Sequence, residues 1–559
     1  MARYYTMVMV VLLSLYGTVH SQDCPIQLVE STVDFGSIQA RMAATKTLWL
    51  KIPSASTPVK IHSVLIIGSS KAFTVALPMQ QTLLQPNDSI ALEVQFVSNH
   101  NITFAASAFV HVECQSSGAM YSLPITLQGS CYYPDTVYKF TENLSGGTLF
   151  QSLKEYLQNQ AVLSYSNARN AFFSQLDNRN GEVECVYTGR KIKTSGIPDP
   201  NEFNCEHTWP QSKGSDVEPA RTDIYHLYPS WETANSKRGN YAFGNVTRNI
   251  TWQDGGSKLG QADGSSDIIF EPRDTHKGNI ARSMFYYATR YGNRKGANDT
   301  QGFLTSMEST LRSWSDIDTV DAAERNRNEG IAKLQLRRNP YIDHPEFTER
   351  IYNIGNQPDF PKYPQPIYSD SIVTFGTAGS IAFYIHNTGN EAAVVQAVEL
   401  KNATGDVFTI AQFDTIIQPD SRSRIIVNSS KANGSATARI RFASGVPSVN
   451  VLLQTSNSTA VSEDKTTIRE FRLDQNFPNP IGETTRITFQ VPENLAKATV
   501  LKFYSIDGSE LFDATGDISW NRGEGTLIFS QKNTSLPKFS IYRLIAPGYS
   551  AAKVMIDTR

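Results

Sequence analysis

Three neighbouring stretches, NCEHTWPQS (204–212), DIYHLYPS (223–230) and NSKRGNYAFG (235–244), decide how this chain is interpreted. They bring histidines, a glutamate, an asparagine and an arginine close together in sequence. Hydrolysis of a phosphodiester needs a base near neutral pH to activate water, and His207 suits that role. It also needs positive charge where the departing oxygen becomes anionic. The combination therefore predicts a hydrolytic site within these three stretches.

Glu206 and Asn235 are the candidate metal ligands. One carboxylate and one amide oxygen leave most of a coordination sphere to water and phosphate, which suits Mg²⁺, with Mn²⁺ or Ca²⁺ as alternatives. Arg238 is expected to bind a phosphate oxygen through its forked donors. Glu206 and His207 are adjacent, and adjacent strand residues point to opposite faces, so both can serve one site only where the chain bends. Pro210 favours such a bend.

Composition places the chain among ordinary globular proteins. Hydrophobic residues make up 40% and charged residues 19% of its 559 residues. That length predicts about three to five domains. The net charge of −2 argues against a dedicated nucleic-acid packaging protein, which would be strongly basic. It is compatible with an enzyme that binds a polyanion locally and then releases it.

Alternating apolar patterns, helical periodicity and proline-rich stretches predict a multidomain protein, with an α+β catalytic domain flanked by all-β domains. The predicted segments are a signal peptide at 1–21, a β-sandwich at 22–130, the catalytic domain at 131–355, a Pro-rich linker at 356–366, a second β-sandwich at 367–458, a linker at 459–469 and a terminal β-domain at 470–559. Helical periodicity in the catalytic domain covers 163–176 and 280–291. In the second helix Ile280, Met284, Tyr287 and Tyr291 are expected to share one buried face.

The N-terminus indicates export. Arg3 precedes an apolar run from Met7 to Leu15, and Val19-His20-Ser21 is similar to a signal cleavage site. The run is too short to span a bilayer, so a signal peptide is favoured over a membrane anchor or a buried helix. No later stretch reaches the length of a membrane-spanning helix.

Export makes disulfides possible, and the odd number of cysteines leaves at least one thiol free or paired between chains. Cys185 and Cys205 flank a short segment that leads into the site, and we predict that they pair. Cys24 could pair with either Cys114 or Cys131. The absence of a CxxC motif argues against a cysteine zinc site.

The three stretches together resemble the endonuclease I family of His-Me finger (ββα-metal) nucleases. The matching patterns are EHxxPQS from Glu206, DxxHLxP from Asp223 and NxxRxNxxF from Asn235, with SYSxAR from Ser164 upstream and NPYIDHP from Asn339 downstream. The resemblance covers about 150–350 and implies metal-dependent, sequence-nonspecific cleavage of DNA, and often of RNA, that leaves a 5′-phosphate. By resemblance, His207 is the general base and Glu206 and Asn235 bind the metal. Arg238 and Asn240 bind the nucleic-acid backbone or order the site.

Three further candidates have competing interpretations. His226 stands where other members carry asparagine, so we expect it to support the site rather than contact substrate. Arg282 could bind phosphate or form an ion pair inside the domain. Asp343 and His344 look like a metal pair, but their setting favours a structural turn.

The flanking domains have their own resemblances. Asp34-Phe35-Gly36 and the turn Pro86-Asn87-Asp88 resemble immunoglobulin-like domains of the abnormal-spindle/hydin kind. Asn476-Phe477-Pro478-Asn479-Pro480, which opens the terminal β-domain, resembles the sorting domain of type IX secretion cargo. This second resemblance implies export through a secretion machinery to the medium or the cell surface.

A surface adhesin or binding protein with an inactive nuclease domain is the main alternative to a secreted nuclease. The intact set of Glu206, His207, Asn235 and Arg238 counts against it. A metallohydrolase acting on other esters or on peptides is disfavoured because the sequence has neither an HExxH nor a GxSxG motif.

Overall fold

A computed structural model divides the chain into two compact units. One unit comprises residues 135–361, and the other is formed by the segments on either side of it. The structure describes residues 18–19, 25–68, 72–77, 83–292, 300–351, 353–355, 362–430, 432–443, 446–455, 472–473, 484–491, 493–505, 510–521, 524–530, 539–546 and 549–556. Most of the predicted signal peptide, the linker at 459–469 and the motif at 476–480 lie outside these residues.

The N-terminal segment consists of short strands whose buried and exposed residues alternate, as in Ser89–Phe96. Its strands are β1 (Thr18–Val19), β2 (Ile26–Leu28), β3 (Thr32–Gln39), β4 (Ala44–Lys51), β5 (Val59–Gly68), β6 (Phe73–Ala76), β7 (Leu83–Leu84), β8 (Ser89–Phe96), β9 (Thr103–Cys114) and β10 (Met120–Tyr132). They form two sheets of order β1-β2-β4-β8-β6 and β3-β10-β9-β5-β7. Phe35 lies 6.2 Å from Phe73 and 5.4 Å from Phe96 of the other sheet, measured between ring centroids, so the two sheets share a core.

The unit at 135–361 mixes helices with small sheets. Its elements are α1 (Gly146–Gln158), α2 (Tyr165–Ala171), β11 (Asn178–Arg179), β12 (Glu182–Glu184), β13 (Lys191–Lys193), β14 (Phe203–His207), β15 (Leu227–Trp231), α3 (Glu232–Arg238), β16 (Ala242–Phe243), β17 (Arg248–Asp254), β18 (Ser257–Gln261), β19 (Ile268–Glu271), α4 (Lys277–Tyr291), α5 (Thr300–Thr305), α6 (Glu308–Ile317), α7 (Ala322–Gln335) and α8 (Pro340–Asp343). The helix predicted at 163–176 is α2, which continues as a wider π turn over Phe172–Leu176.

Helix α4 is the core helix of this unit. The four residues predicted to share a buried face are indeed buried, but so are Phe285, Tyr286 and almost every other residue of the helix. The expectation of a single apolar face was therefore too narrow. The cause is that α1, α6, α8 and the 3₁₀ turn Ile224–His226 all contact α4.

Strands β14 and β15 pair in antiparallel fashion and lead directly into α3. Glu206 lies opposite Tyr228, and His207 lies opposite Leu227. Helix α3 ends at Gly239, whose φ of 54° is accessible mainly to glycine. Parts of all three motif stretches, 204–212, 223–230 and 235–244, lie on this strand–strand–helix unit.

The segment after residue 361 returns to strands. They are β20 (Pro366–Tyr368), β21 (Ile372–Thr374), β22 (Ser380–Asn387), β23 (Ala393–Lys401), β24 (Phe408–Gln412), β25 (Ile416–Ile417), β26 (Ser421–Ser429), β27 (Ser435–Phe442) and β28 (Val449–Gln454), in sheets of order β20-β22-β26-β24 and β21-β28-β27-β23-β25. Tyr384 packs on Phe109 of β9 at 5.4 Å between ring centroids. Arg422 donates hydrogen bonds to Ser107 and Thr126. The N-terminal and middle strand regions are therefore in direct contact.

The C-terminal segment is also made of strands. They are β29 (Arg472–Leu473), β30 (Thr484–Gln490), β31 (Val500–Ser505), β32 (Glu510–Asp513), β33 (Ser519–Asn521), β34 (Glu524–Ser530), β35 (Phe539–Ala546) and β36 (Tyr549–Ile556). Two four-stranded sheets enclose a core that includes Phe489, Phe503 and Tyr542. The sorting role of this region and the immunoglobulin-like assignment of the other strand regions stay predictions. Across the described residues, no helix is long and apolar enough to cross a membrane.

Candidate active site

A cleft of about 610 Å³ opens beside the end of strand β14. Its lining residues are Tyr165, Arg169, Pro200, Asn204, Cys205, Glu206, His207, Pro210, Gln211, Ser212, Asn235, Gly239 and Asn240. The structure thus brings Glu206, His207, Asn235 and Asn240 to one cavity. Because β14 ends at His207, the cleft reaches side chains on both faces of the strand.

His207 is 8% exposed at the wall of this cleft. Its Nε2 lies 3.1 Å from the carbonyl oxygen of Arg221 and 3.3 Å from the side-chain amide nitrogen of Gln211. Burial, and then the neighbouring His226, lower the pKa of His207 to about 3. The imidazole is therefore neutral at neutral pH and keeps a lone pair that can accept a proton.

Glu206 is almost completely buried, with 2% of its surface exposed. The hydroxyl of Tyr187 donates to its Oε1 at 2.6 Å, and Arg238 Nε lies 3.1 Å from the same oxygen. Arg238 Nε has no aligned hydrogen-bond acceptor among the described residues, so this second contact is an ion pair. Burial raises the pKa of Glu206, while Arg238 and Tyr187 oppose that rise.

Of the two roles that the sequence suggested for Arg238, the environment of its side chain fits ordering of the site and not a phosphate contact. Its side chain is fully buried, and its terminal nitrogens donate to the carbonyl oxygens of Gly239 and Thr208 at 2.8 and 2.6 Å. The guanidinium also lies 4.5 Å from the ring centroid of Phe243. The expectation of a phosphate contact was therefore wrong, because the terminal nitrogens of Arg238 already donate to carbonyl oxygens inside the protein. Arg238 contacts Glu206 instead.

Asn235 and Asn240 line the cleft from α3 and from the turn after it. Asn235 donates through its amide nitrogen to Asn204 Oδ1 at 2.6 Å and to the carbonyl of Cys205 at 3.4 Å. Because both of these contacts use Nδ2, the amide oxygen is the atom that remains for a cation. Asn240 is exposed and donates to the Ser212 hydroxyl at 3.3 Å.

His226 lies behind His207. It is fully buried, its Nε2 is 2.6 Å from the carbonyl oxygen of Ala220, and its ring meets His207 edge-on at 5.5 Å. The nearby Asp223 accepts hydrogen bonds from Tyr286, Tyr291 and Arg290. These groups hold the segment behind His207 and do not line the cleft.

Arg282 is part of the domain core. It is fully buried and forms a two-pronged ion pair with Glu324, with N–O distances of 2.9 and 2.6 Å. Of the two alternatives, the ion pair is the one found, and a phosphate contact is excluded by burial. Asp343 is held by Arg338 and Asn328, and His344 by Glu346 and Asp135, which agrees with a structural turn.

The predicted disulfide between Cys185 and Cys205 was wrong, since both cysteines are free thiols. The backbone nitrogens of Thr188 and Trp231 donate to the Cys185 sulfur at 3.4 and 3.1 Å, so it lies away from the cleft. Cys205 lines the cleft instead. Cys114 is disulfide-bonded and Cys131 is free. Cys24 itself lies outside the described residues.

The sequence alone did not single out Tyr165, Arg169, Arg221 and Tyr187 as residues in or beside the site. Tyr165 and Arg169 line the cleft, and Tyr187 bonds to Glu206. The Arg221 guanidinium lies 4.5 Å from the Tyr165 ring centroid. Tyr165 and Arg169 belong to the matching pattern SYSxAR, which was a usable signal. Arg221 stands in none of the matching patterns.

Comparison with known proteins agrees with this geometry. Residues 145–346 match the sequence model of Endonuclease I. The chain is 35% identical over 235 residues to an extracellular ribonuclease of Bacillus subtilis (strain 168), covering 39% of this chain and 78% of that protein. It is 33% identical over 236 residues to an extracellular ribonuclease of Bacillus amyloliquefaciens, with the same coverage of 39% and 78%. A periplasmic deoxyribonuclease of Aeromonas hydrophila is 26% identical over 135 residues, which is 23% of this chain and 51% of that protein.

The chain therefore belongs to the endonuclease I family. The protein is an endonuclease.

Proposed function

We propose that this protein is a secreted, metal-dependent and sequence-nonspecific endonuclease that hydrolyses DNA and RNA to products with 5′-phosphates. The observation that carries the proposal is the meeting of neutral His207, buried Glu206 and Asn235 in one cleft. The relatives named above support both polymers as substrates, since two are named ribonucleases and one a deoxyribonuclease.

His207 acts as the general base. Nε2 of the neutral ring donates to the Arg221 carbonyl oxygen at 3.1 Å, so the lone pair that can take a proton from water is on Nδ1. The Gln211 amide, 3.3 Å from Nε2, is placed to orient the ring. An anionic phosphate in the cleft would favour the protonated ring and so raise the basicity of His207 from its low value in the free protein.

Glu206 and Asn235 would hold a divalent cation. Among the described residues no cluster of three or more histidine, cysteine or acidic side chains could ligate a metal. One carboxylate with one amide oxygen fits a hard ion such as Mg²⁺, which keeps much of its water. Tyr187 and Arg238 both contact Glu206 Oε1 and would fix the orientation of the carboxylate towards the cation. The ion would neutralise charge on the phosphate and on the departing oxygen.

Export is part of the same proposal. The relatives are named as extracellular or periplasmic proteins, and the N-terminal 21 residues have the pattern of a signal peptide. The C-terminal domain would serve as the sorting signal that a secretion machinery recognises. Neither region takes part in the chemistry.

The deciding experiment is digestion of plasmid DNA and of RNA by the full chain, with EDTA and then with Mg²⁺, Mn²⁺ or Ca²⁺ restored. We expect cleavage that EDTA abolishes and metal restores. His207→Ala should lower the rate by about 10²–10⁴-fold while the protein stays folded. His62→Ala, an exposed histidine of the first strand region, is the matched control and should cleave normally. A folded protein that cleaves neither polymer with any metal would reject the proposal.

A further inference from the structure

We propose that Arg169, Arg221 and Tyr165 form a phosphate-binding subsite beside His207, which holds a phosphodiester next to the one being cleaved. The inference rests on the proposed function, because it assigns these residues to the nucleic-acid strand in the same cleft. It goes beyond that function by naming groups that bind substrate without taking part in the chemistry.

The first observation is a contrast among arginines. Most buried arginines of this unit form ion pairs with carboxylates. The pairs are Arg238–Glu206, Arg282–Glu324, Arg290–Asp223 and Arg327–Asp177, and the half-buried Arg338 pairs with Asp343 in the same way. Neither Arg169 nor Arg221 forms an ion pair within the part of the chain that the structure describes. Their positive charges are therefore available to an anion from solution.

The second observation is where these two charges lie. Arg169 lines the cleft that contains His207 and Asn235. Its Nε is buried without a hydrogen-bond partner among the described residues, which is a costly state that a phosphate oxygen would relieve. Arg221 accepts the contact from His207 Nε2 through its own carbonyl, so its backbone adjoins the base.

Tyr165 holds the two arginines together. Its ring centroid lies 4.5 Å from the Arg221 guanidinium carbon and 5.7 Å from that of Arg169. Cation–π contacts at these distances are attractive and orient a guanidinium without neutralising its charge. Burial raises the pKa of Tyr165 to about 12, so the ring carries no negative charge that would compete with a phosphate.

The chemistry of the lining favours a phosphate over other ligands. Glu206 is the one carboxylate among the lining residues, and Arg238 already neutralises it. Guanidinium groups suit phosphate oxygens because their planar donors can bind two at once. A strand whose scissile phosphate lies at His207 would place a neighbouring phosphate within this arginine pair.

The test measures binding without turnover. A fluorescein-labelled single-stranded oligodeoxynucleotide is titrated with the full-length His207→Ala protein in EDTA, over a range of KCl concentrations. In this background Arg169→Gln and Arg221→Gln should each weaken binding by about tenfold. Each should also make the slope of log K against log salt shallower by about 0.7, the value for one lost phosphate contact on a single strand. Arg169→Lys should restore most of the slope, because the charge is retained.

Arg325→Gln is the matched control. It removes the same charge from an exposed arginine of α7 that does not line the cleft, so binding and slope should stay unchanged. Unchanged slopes for both Arg169→Gln and Arg221→Gln, or an equal loss in the control, would overturn the subsite. Circular dichroism checks folding, and if Arg169→Gln fails to fold, Arg221→Gln and Arg169→Lys still decide. Failure of the unmodified enzyme to cleave would reject the proposed function separately, since binding is measured independently.

Discussion

Replacing Arg238 by methionine should weaken both the folded state and metal binding, although this arginine never touches substrate. The guanidinium lies 3.1 Å from Glu206 and donates to two carbonyl oxygens in a fully buried environment. Methionine keeps much of the apolar stem and removes only the charge and the donors. The buried carboxylate of Glu206 then keeps the hydroxyl of Tyr187 as its one close side-chain donor.

The size of the effect follows from the geometry. Two unit charges 3.1 Å apart attract by about 5 kcal/mol at an effective dielectric constant of about 20. Part of this is offset by the cost of desolvating both groups, and removal of one partner of a buried pair typically costs about 3–5 kcal/mol. We therefore expect the free energy of unfolding of the metal-free protein to fall by about 3–5 kcal/mol.

The effect on metal affinity depends on which of two opposing influences is larger. The Arg238 charge repels a nearby cation, so its removal alone would tighten metal binding. Its loss also raises the pKa of Glu206 further and releases the carboxylate from its fixed position. Loss of groups that orient a metal ligand usually weakens binding by about 10–100-fold, and we expect this effect to prevail.

The assay is a Mn²⁺ titration by calorimetry, paired with urea unfolding of the metal-free full chain. Arg282→Met is the matched control, because it removes an equally buried arginine from its pair with Glu324. It should cost similar stability and leave metal affinity unchanged. The double variant Glu206→Gln/Arg238→Met should be more stable than the sum of the single losses predicts. Additive losses, or tighter Mn²⁺ binding by Arg238→Met, would refute the positioning role.

Three other predictions concern features outside the catalytic groups. His386 is buried between the strand regions with its pKa lowered to about 4, so its stability contribution is complete above about pH 6.5 and is lost as pH falls towards 4; urea unfolding at several pH values should show this dependence, and His386→Gln should remove it. Phe109→Ala should cost about 3–5 kcal/mol in the same assay without changing nuclease activity, because Phe109 is fully buried against Tyr384. Thiol titration in denaturant without reductant should find three free cysteines, Cys131, Cys185 and Cys205, and a count of one would mean that the last two are paired after all.

The order of residues in the sequence was enough to predict which groups meet at the cleft. Glu206, His207 and Asn235 lie on one short strand–strand–helix unit, so local structure alone brings them together. Which arginines are buried in internal contacts, and which can reach substrate, could not be predicted in this way. Arg238 and Arg282 are buried because carboxylates and carbonyls distant in sequence surround them, and only the tertiary structure supplies those partners. The predicted disulfide between Cys185 and Cys205 was wrong for the same reason, since proximity in sequence does not determine where a cysteine side chain points.

The distribution of arginines also explains how a protein of net charge −2 can bind a polyanion. Net charge counts Arg282 and Arg290 equally with Arg169 and Arg221, yet the first two are neutralised by Glu324 and Asp223 inside the fold. What a nucleic-acid strand meets at the cleft is the local potential, which depends on charges that have no internal partner. An enzyme must also release its product, and a small number of exposed cations limits affinity in a way that a strongly basic surface would not. A low net charge, with two arginines beside His207 that form no ion pair within the described residues, is therefore the arrangement expected for repeated turnover on a polyanionic substrate.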